Sequence, residues 1–134
     1  MIIRKADVKD ATDLAVLDSL AHREMKIWAL QKEKDFARSL CKKDYYFLIA
    51  HDGKGAVGYI ETEFDPPKEI VWIKNIFITK KYRKKRIARQ MIQQITRYWG
   101  RKTRLLVLLT ADRNLKIFEK LGFTKTMNYL VQEI

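Results

Sequence analysis

The sequence predicts an α/β (α+β) fold: one domain over residues 1–134, with a central mixed sheet of six to seven strands and about four helices. Three observations predict it. Apolar residues recur at three-to-four spacing near the N-terminus, then gather into aromatic and β-branched runs after Tyr45. The stretch from Ile70 to Leu109 reads strand, helix, strand, which is the unit that joins parallel neighbours. No repeat or low-complexity linker divides the chain, and 134 residues suit a single core.

The elements follow in order. Ile2-Ile3-Arg4 makes a short strand, and Asp10 is placed to cap a helix that carries Leu14, Leu17, Leu20 and Ala21. A second helical pattern runs from Met25 to Leu40 through Ile27, Trp28, Leu30, Phe36, Ala37 and Leu40. Tyr45 to Ala50 and Val57 to Ile60 form strands joined across His51-Asp52-Gly53-Lys54-Gly55, where Asp-Gly signals a hairpin. Asp65-Pro66-Pro67-Lys68 makes a loop, because proline cannot donate to a ladder. Ile70 to Ile78 is the next strand. Ile87, Ala88, Met91, Ile92, Ile95 and Trp99 then mark one face of a helix. Leu105 to Leu109, continuous and apolar, predicts a strand covered on both faces. A short helix with Leu115, Phe118 and Leu121 ends at Gly122, and Phe123 to Val131 supplies a last strand or hairpin.

Composition excludes several classes. With 47% hydrophobic and 33% charged residues the chain is globular, and no apolar run approaches the ~20 residues of a membrane span. The N-terminus lacks a signal-peptide core, and Cys41 stands alone, so a reducing cytoplasmic setting is expected, with Cys41 as a packing residue. His22 and His51 lack partners at metal-ligand spacing, and no Ser/His/Asp grouping or P-loop is present, so no metal is expected. Trp72, Trp99 and Phe77 fall on apolar faces and read as core.

Charge is more specific. The 28 basic and 16 acidic residues leave a net +12, and eleven cations with no Asp or Glu lie between Lys80 and Arg104. An anion should meet them. Ligands of open α/β sheets bind beyond the carboxyl ends of parallel strands, where a helix begins. Here that point is Thr79-Lys80-Lys81-Tyr82-Arg83-Lys84-Lys85-Arg86-Ile87-Ala88, and the free amides of a helix's first turn suit a pyrophosphate. The outer cations also suit a nucleic acid.

The segment from Ile76 to Arg89 resembles the acyl-CoA motif of the GNAT superfamily of N-acyltransferases, a strand followed by Q/R-x-x-G-x-G/A, with Arg83 and Ala88 at its first and last positions. Ile3-Arg4-x-Ala6 with Asp10-Ala11-x-x-Leu14 resembles the family's first strand and helix. Val57-Gly58-Tyr59-Ile60 resembles its third strand, and Phe118-Glu119-Lys120-Leu121-Gly122-Phe123 its closing signature. The likeness spans about Ile3 to Phe123 and implies a GNAT-like sheet and acetyl transfer from acetyl-CoA to a primary amine. It places pantetheine on the backbone of Ile76, Phe77 and Ile78, and pyrophosphate on Arg83, Lys84, Lys85, Arg86, Ile87, Ala88 and Arg89. Asn114 and Phe118 would also contact the cofactor.

Two positions depart from the family pattern. Arg86 stands where a glycine is usual, and Phe118 replaces a tyrosine that often serves as general acid. The first strand of the crossover, Val71 to Ile78, carries no carboxylate, so Glu61 and Glu63 are the candidate bases, with Glu24 in the helical acceptor region. Tyr129 could donate to the leaving thiolate. The expected partners are acetyl-CoA and an amine acceptor, protein or small molecule, for a monomer or homodimer. The departures and the surplus charge motivate the alternative of a non-catalytic acyl-CoA-binding or nucleic-acid-associated module.

Overall fold

The computed structural model describes residues 1–25, 30–127, 130, 132 and 133. In chain order its elements are β1 (Ile2–Lys5), α1 (Ala11–Met25), α2 (Glu33–Leu40), β2 (Tyr45–His51), β3 (Ala56–Asp65), β4 (Ile70–Ile78), α3 (Ile87–Trp99), β5 (Leu106–Leu108) and α4 (Leu115–Lys120). The strands lie in sequence order, antiparallel from β1 to β4 and parallel between β4 and β5. The parallel pair is the one expected from the strand–helix–strand unit. Helices α1 and α2 pack on one face over Leu14, Leu17, Phe36, Phe47, Ile49, Tyr59 and Phe77. Helix α3 packs on the other over Ile60, Val71, Ile73, Ile78, Met91, Ile95 and Trp99.

Several sequence expectations need correction. Among the described residues the sheet has five strands rather than six to seven. The expected last strand, Phe123 to Val131, is not formed over the described residues 123–127, and Asn128, Tyr129 and Val131 lie outside the described residues. Gly122, with φ of +100°, closes α4 as expected. There the Phe123 N–H donates to Phe118 O at 3.1 Å and the two rings meet edge-on, so the chain wraps the helix end instead of starting a ladder. Strand β5 covers only Leu106–Leu108, with Leu105 and Leu109 at least half exposed, and among the described residues it pairs with β4 alone.

The cap lies one turn earlier than expected, at Asp7, which caps a 3-10 turn (Val8–Asp10) that leads into α1. Asp7 Oδ1 accepts from Lys9 N–H, and Asp10 reaches back to the Asp7 N–H, a reciprocal pair that Arg4 clamps at 2.8 Å. The Arg4 guanidinium holds the Asp10 carboxyl below the usual range. Leu20 is partly exposed, while Leu14, Leu17 and Ala21 form the buried stripe.

The pattern from Met25 to Leu40 is not one helix. Helix α1 runs through Met25, residues 30–32 are not helical, and α2 starts at Glu33, where the Lys32 N–H donates to Asp35. Ile27 and Trp28 lie outside the described residues. Cys41 is an exposed residue after α2 rather than a packing one. Trp72 is only half-buried beneath Lys68, whereas Trp99 is fully buried and donates from Nε1 to Thr62.

Candidate functional site

The site is organised by a bulge. Glu61 pairs with Asn75 but Thr62 pairs with Ile73, so Lys74 is an extra residue on β4. The alternation of β4 therefore flips: Val71, Ile73, Ile76 and Ile78 face α3, whereas Asn75 and Phe77 face α1 and α2. The bulge also marks where β4 and β5 part, since their pairing ends at Ile73 with Leu108. From Asn75 onward one edge of β4 is open among the described residues.

Hydrogen-bond alternation decides which groups that edge offers. The Thr79 N–H donates to Val57 O at 2.8 Å, so Phe77 turns its backbone groups to β3, and Ile76 and Ile78 turn theirs outward. Of the three residues predicted to offer backbone groups to pantetheine, Ile76 and Ile78 turn theirs to the free edge and Phe77 turns its own to β3. The Ile78 carbonyl is already used, accepting from Arg83 Nε at 2.8 Å.

Beyond the edge, Thr79 to Arg86 turns the chain into α3. Both Lys84 and Arg86 have φ of +63°, and Arg86 is the residue immediately before the helix. This is the conformation that glycine adopts without cost. The first helical bond back is Gln90 N–H to Arg86 O at 3.0 Å. Among the described residues no protein acceptor takes the amides of Lys84 to Arg89, so they stand free at the positive end of a 13-residue helix. The turn is anchored by Tyr82, whose hydroxyl donates to Asp52 in the β2–β3 hairpin. With the Lys54 and Gly55 amides, that bond holds the Asp52 carboxyl down to about 2.

The side chains of the basic run have separate duties. Arg83 pairs with Glu24 at 2.7 Å and lies over the Phe77 ring, so it ties the turn to α1, and Glu24 is occupied as an ion-pair partner. Arg89 donates to Lys120 O at 3.0 Å, at the end of α4. Ile87 is buried, leaving only its amide to offer, and Ala88 is half-buried in the first turn. The Lys84, Lys85 and Arg86 side chains are exposed. Asn114 directly precedes α4 without capping it through its side chain, and Phe118 packs against Phe123.

On the α1/α2 face, Glu61 is 2% exposed. Its Oε1 accepts from Asn75 Nδ2 at 2.8 Å and Gln31 Nε2 at 3.2 Å. Burial pushes the carboxyl up, and those two hydrogen bonds hold it part-way down. A buried carboxyl on the strand beside the open-edged β4, its proton affinity raised by desolvation, is equipped to accept a proton. Glu63, two residues on, is more open and pairs with Lys74 at 3.3 Å. Tyr129 lies outside the described residues. No buried side-chain polar atom among the described residues lacks a partner.

Sequence reasoning missed Asp18, Gln31 and Asn75. Asp18 is 8% exposed and accepts from the Tyr59 hydroxyl and the Gln31 N–H, each at 2.9 Å. A signal existed for two of them: an aspartate within the apolar stripe Leu14, Leu17, Ala21, and an asparagine inside an apolar strand.

Comparison with known proteins places this geometry. A family model described as an acetyltransferase (GNAT) domain matches residues 43–125. A mutant form of the BH1408 protein of Bacillus halodurans superposes with a TM-score of 0.84 at 17% identity, covering 100% of this chain and 99% of that one. An aminoglycoside N-acetyltransferase in complex with CoA gives 0.83 at 18% identity over 99% and 98% of the two chains. An aminoglycoside 6'-N-acetyltransferase of Acinetobacter baumannii gives 0.80 at 16% identity over 99% and 97%. A search of curated proteins finds no match to the sequence.

Proposed function

The chain belongs to the GNAT acetyltransferase family, and we propose that it transfers acetyl from acetyl-CoA to an amine using the α3 amides, the β4 edge and Glu61. The observation that carries this reading is the row of free amides from Lys84 to Arg89 at the end of an open strand. They fit a diphosphate: backbone donors converge at a helix N-terminus, and Lys84, Lys85 and Arg86 add charge around them. Pantetheine then runs along the Ile76 and Ile78 backbone, which brings the thioester toward Asn75 and Glu61.

The acceptor enters on the α1/α2 face, where Asp18, Glu61 and Glu63 make the surroundings acidic inside a chain of net +12. That local field admits a cationic amine that the rest of the surface repels. Glu61 takes the ammonium proton, the amine nitrogen bonds to the acetyl carbon, and as the carbon–sulfur bond breaks the nitrogen's second proton passes to the departing thiolate. Phe118 has no proton to give it. Holding amine and thioester together contributes ~7–11 kcal/mol of the barrier reduction.

Calorimetric titration with acetyl-CoA, followed by thiol release across a panel of primary amines, tests the proposal. Binding with amine-dependent release is expected; no binding would defeat it. Arg83→Ala is expected to weaken acetyl-CoA several-fold with little loss of stability. The exposed Glu24 pair is worth under ~1 kcal/mol, while the tether to Ile78 O fixes where the turn sits.

A second reading concerns the surplus cations. Arg97, Arg101, Lys102 and Arg104 lie at the far end of α3, about 20 Å from the amides at 1.5 Å per residue. Among the eleven cations only Arg83 pairs with a carboxylate within the described residues. These features support an added nucleic-acid contact there. Such a contact predicts oligonucleotide binding that weakens steeply with salt and is lost in R97E/R101E, with acetyl-CoA affinity retained.

A further inference from the structure

Glu61 is held by two amides, and they come from different places. Asn75 belongs to the neighbouring strand, while Gln31 belongs to the connection between α1 and α2. Gln31 has its own anchor. Its backbone N–H donates at 2.9 Å to Oδ2 of Asp18, whose Oδ1 accepts from Tyr59 at the same distance. Asp18 sits on the buried stripe of α1, where an apolar residue would pack without loss of hydration. Both its oxygens serve the neighbourhood of Glu61: Tyr59 precedes it by two residues on the same face of β3, and Gln31 touches it.

We propose that Asp18 is a positioning residue for acetyl transfer: by gripping the Gln31 N–H it fixes the side-chain amide that orients the Glu61 carboxylate. This rests on the reading of Glu61 as proton acceptor. The titratable groups facing Glu61 are Asp18 from α1, Tyr45 from β2, Tyr59 and Glu63 from its own strand, and Lys74 from β4. The Asp18 charge raises the Glu61 carboxyl and Lys74 lowers it. The Gln31 hydrogen bond lowers it by more than the Asp18 charge raises it. Losing Asp18 with its hold on Gln31 therefore raises the carboxyl further.

The test is a carboxyl-carbon NMR titration of the full chain labelled at glutamate, with the Glu61 signal assigned by its loss in E61Q. Gln31→Ala is expected to move the midpoint upward. Asp18→Ala is expected to move it the same way, Asp18→Asn, which keeps an oxygen for the amide and removes the charge, to bring it back to the wild-type value or below, and D18A/Q31A to go no further than Q31A. An unchanged or lowered midpoint in Q31A, or a double variant whose shift is the sum of the singles, would overturn the proposal. Should D18A fail to fold by circular dichroism, Q31A and D18N carry the test, because Gln31 is half-buried and D18N retains the shape. The outcome for Glu61 itself is separate. Undiminished thiol release by E61Q would sink the proton-acceptor reading, while the titration would still report whether Asp18 acts through Gln31.

Discussion

Replacing Glu61 by Gln is expected to lower kcat/KM by roughly 10²–10⁴-fold, the usual contribution of a placed general base. Acetyl-CoA affinity should be nearly unchanged, because the carboxyl lies on the α1/α2 face and the amides of α3 are remote from it. The pH profile carries a second part. The active form is the carboxylate, and burial raises its pKa, so the acid limb of kcat/KM should lie above the ordinary glutamate range and vanish in E61Q.

Stability should move the opposite way. The folded protein binds the Glu61 proton more tightly than the unfolded chain does. The contribution is therefore fully present below the ordinary glutamate pKa and is lost as pH rises through the raised folded value. Above that raised value the wild type bears the loss and Gln does not, while Gln can still accept from Asn75 and Gln31. E61Q should have a higher Tm than wild type at pH 7 and a smaller difference near pH 4. A carboxyl that costs stability where the enzyme works is the signature of a functional group rather than a packing one.

Arg86 gives the second large effect. At φ of +63° an L-residue carries about 1–2 kcal/mol of strain that glycine does not. Arg86→Gly should raise unfolding stability by up to about 1 kcal/mol, the glycine gaining backbone freedom in the unfolded chain, and should leave the amide row intact. Arg86→Val should do the reverse. A β-branched side chain is excluded from that region, so the turn must open, and the amides from Lys84 to Arg89 no longer converge. Acetyl-CoA affinity should fall at least tenfold, about 1.4 kcal/mol, with a lower Tm. Paired unfolding curves and titrations check this; equal affinity in the Gly and Val variants would show that the turn does not hold the diphosphate. The pattern explains how an arginine can stand where the family has glycine: the backbone keeps the glycine geometry, Tyr82 and Arg83 pin the turn from both sides, and the Arg86 side chain stays in solvent.

Much of the frame was legible because it rests on local signals. Period three-to-four spacing located α3 to the residue, and a continuous branched run located β4 from Ile70 to Ile78. The basic residues between them pointed to a place for an anion. Legibility failed where a contact distant in sequence outweighed a local preference. The run from Met25 to Leu40 looks helical throughout, but Asp18 captures the Gln31 N–H and Asp35 captures that of Lys32. Those two bonds satisfy the backbone outside a helix. Leu105 to Leu109 looks like a strand covered on both faces, yet it pairs over three residues and leaves Leu105 and Leu109 at least half exposed.

By itself the sequence determined the family and the order of the elements up to α4, and it pointed to the start of α3 as a place for an anion, since each depends on spacing within a few residues. Only the tertiary structure decided what the charged groups do. Glu61 and Glu63 are two residues apart on one strand and differ in nothing a sequence displays. Folding buries the first between Asn75 and Gln31 and leaves the second paired with Lys74 near solvent. The physical reason is that a carboxyl's readiness to take a proton is set by desolvation and by neighbours dozens of residues away, and those exist only once the sheet and α1 have closed on it.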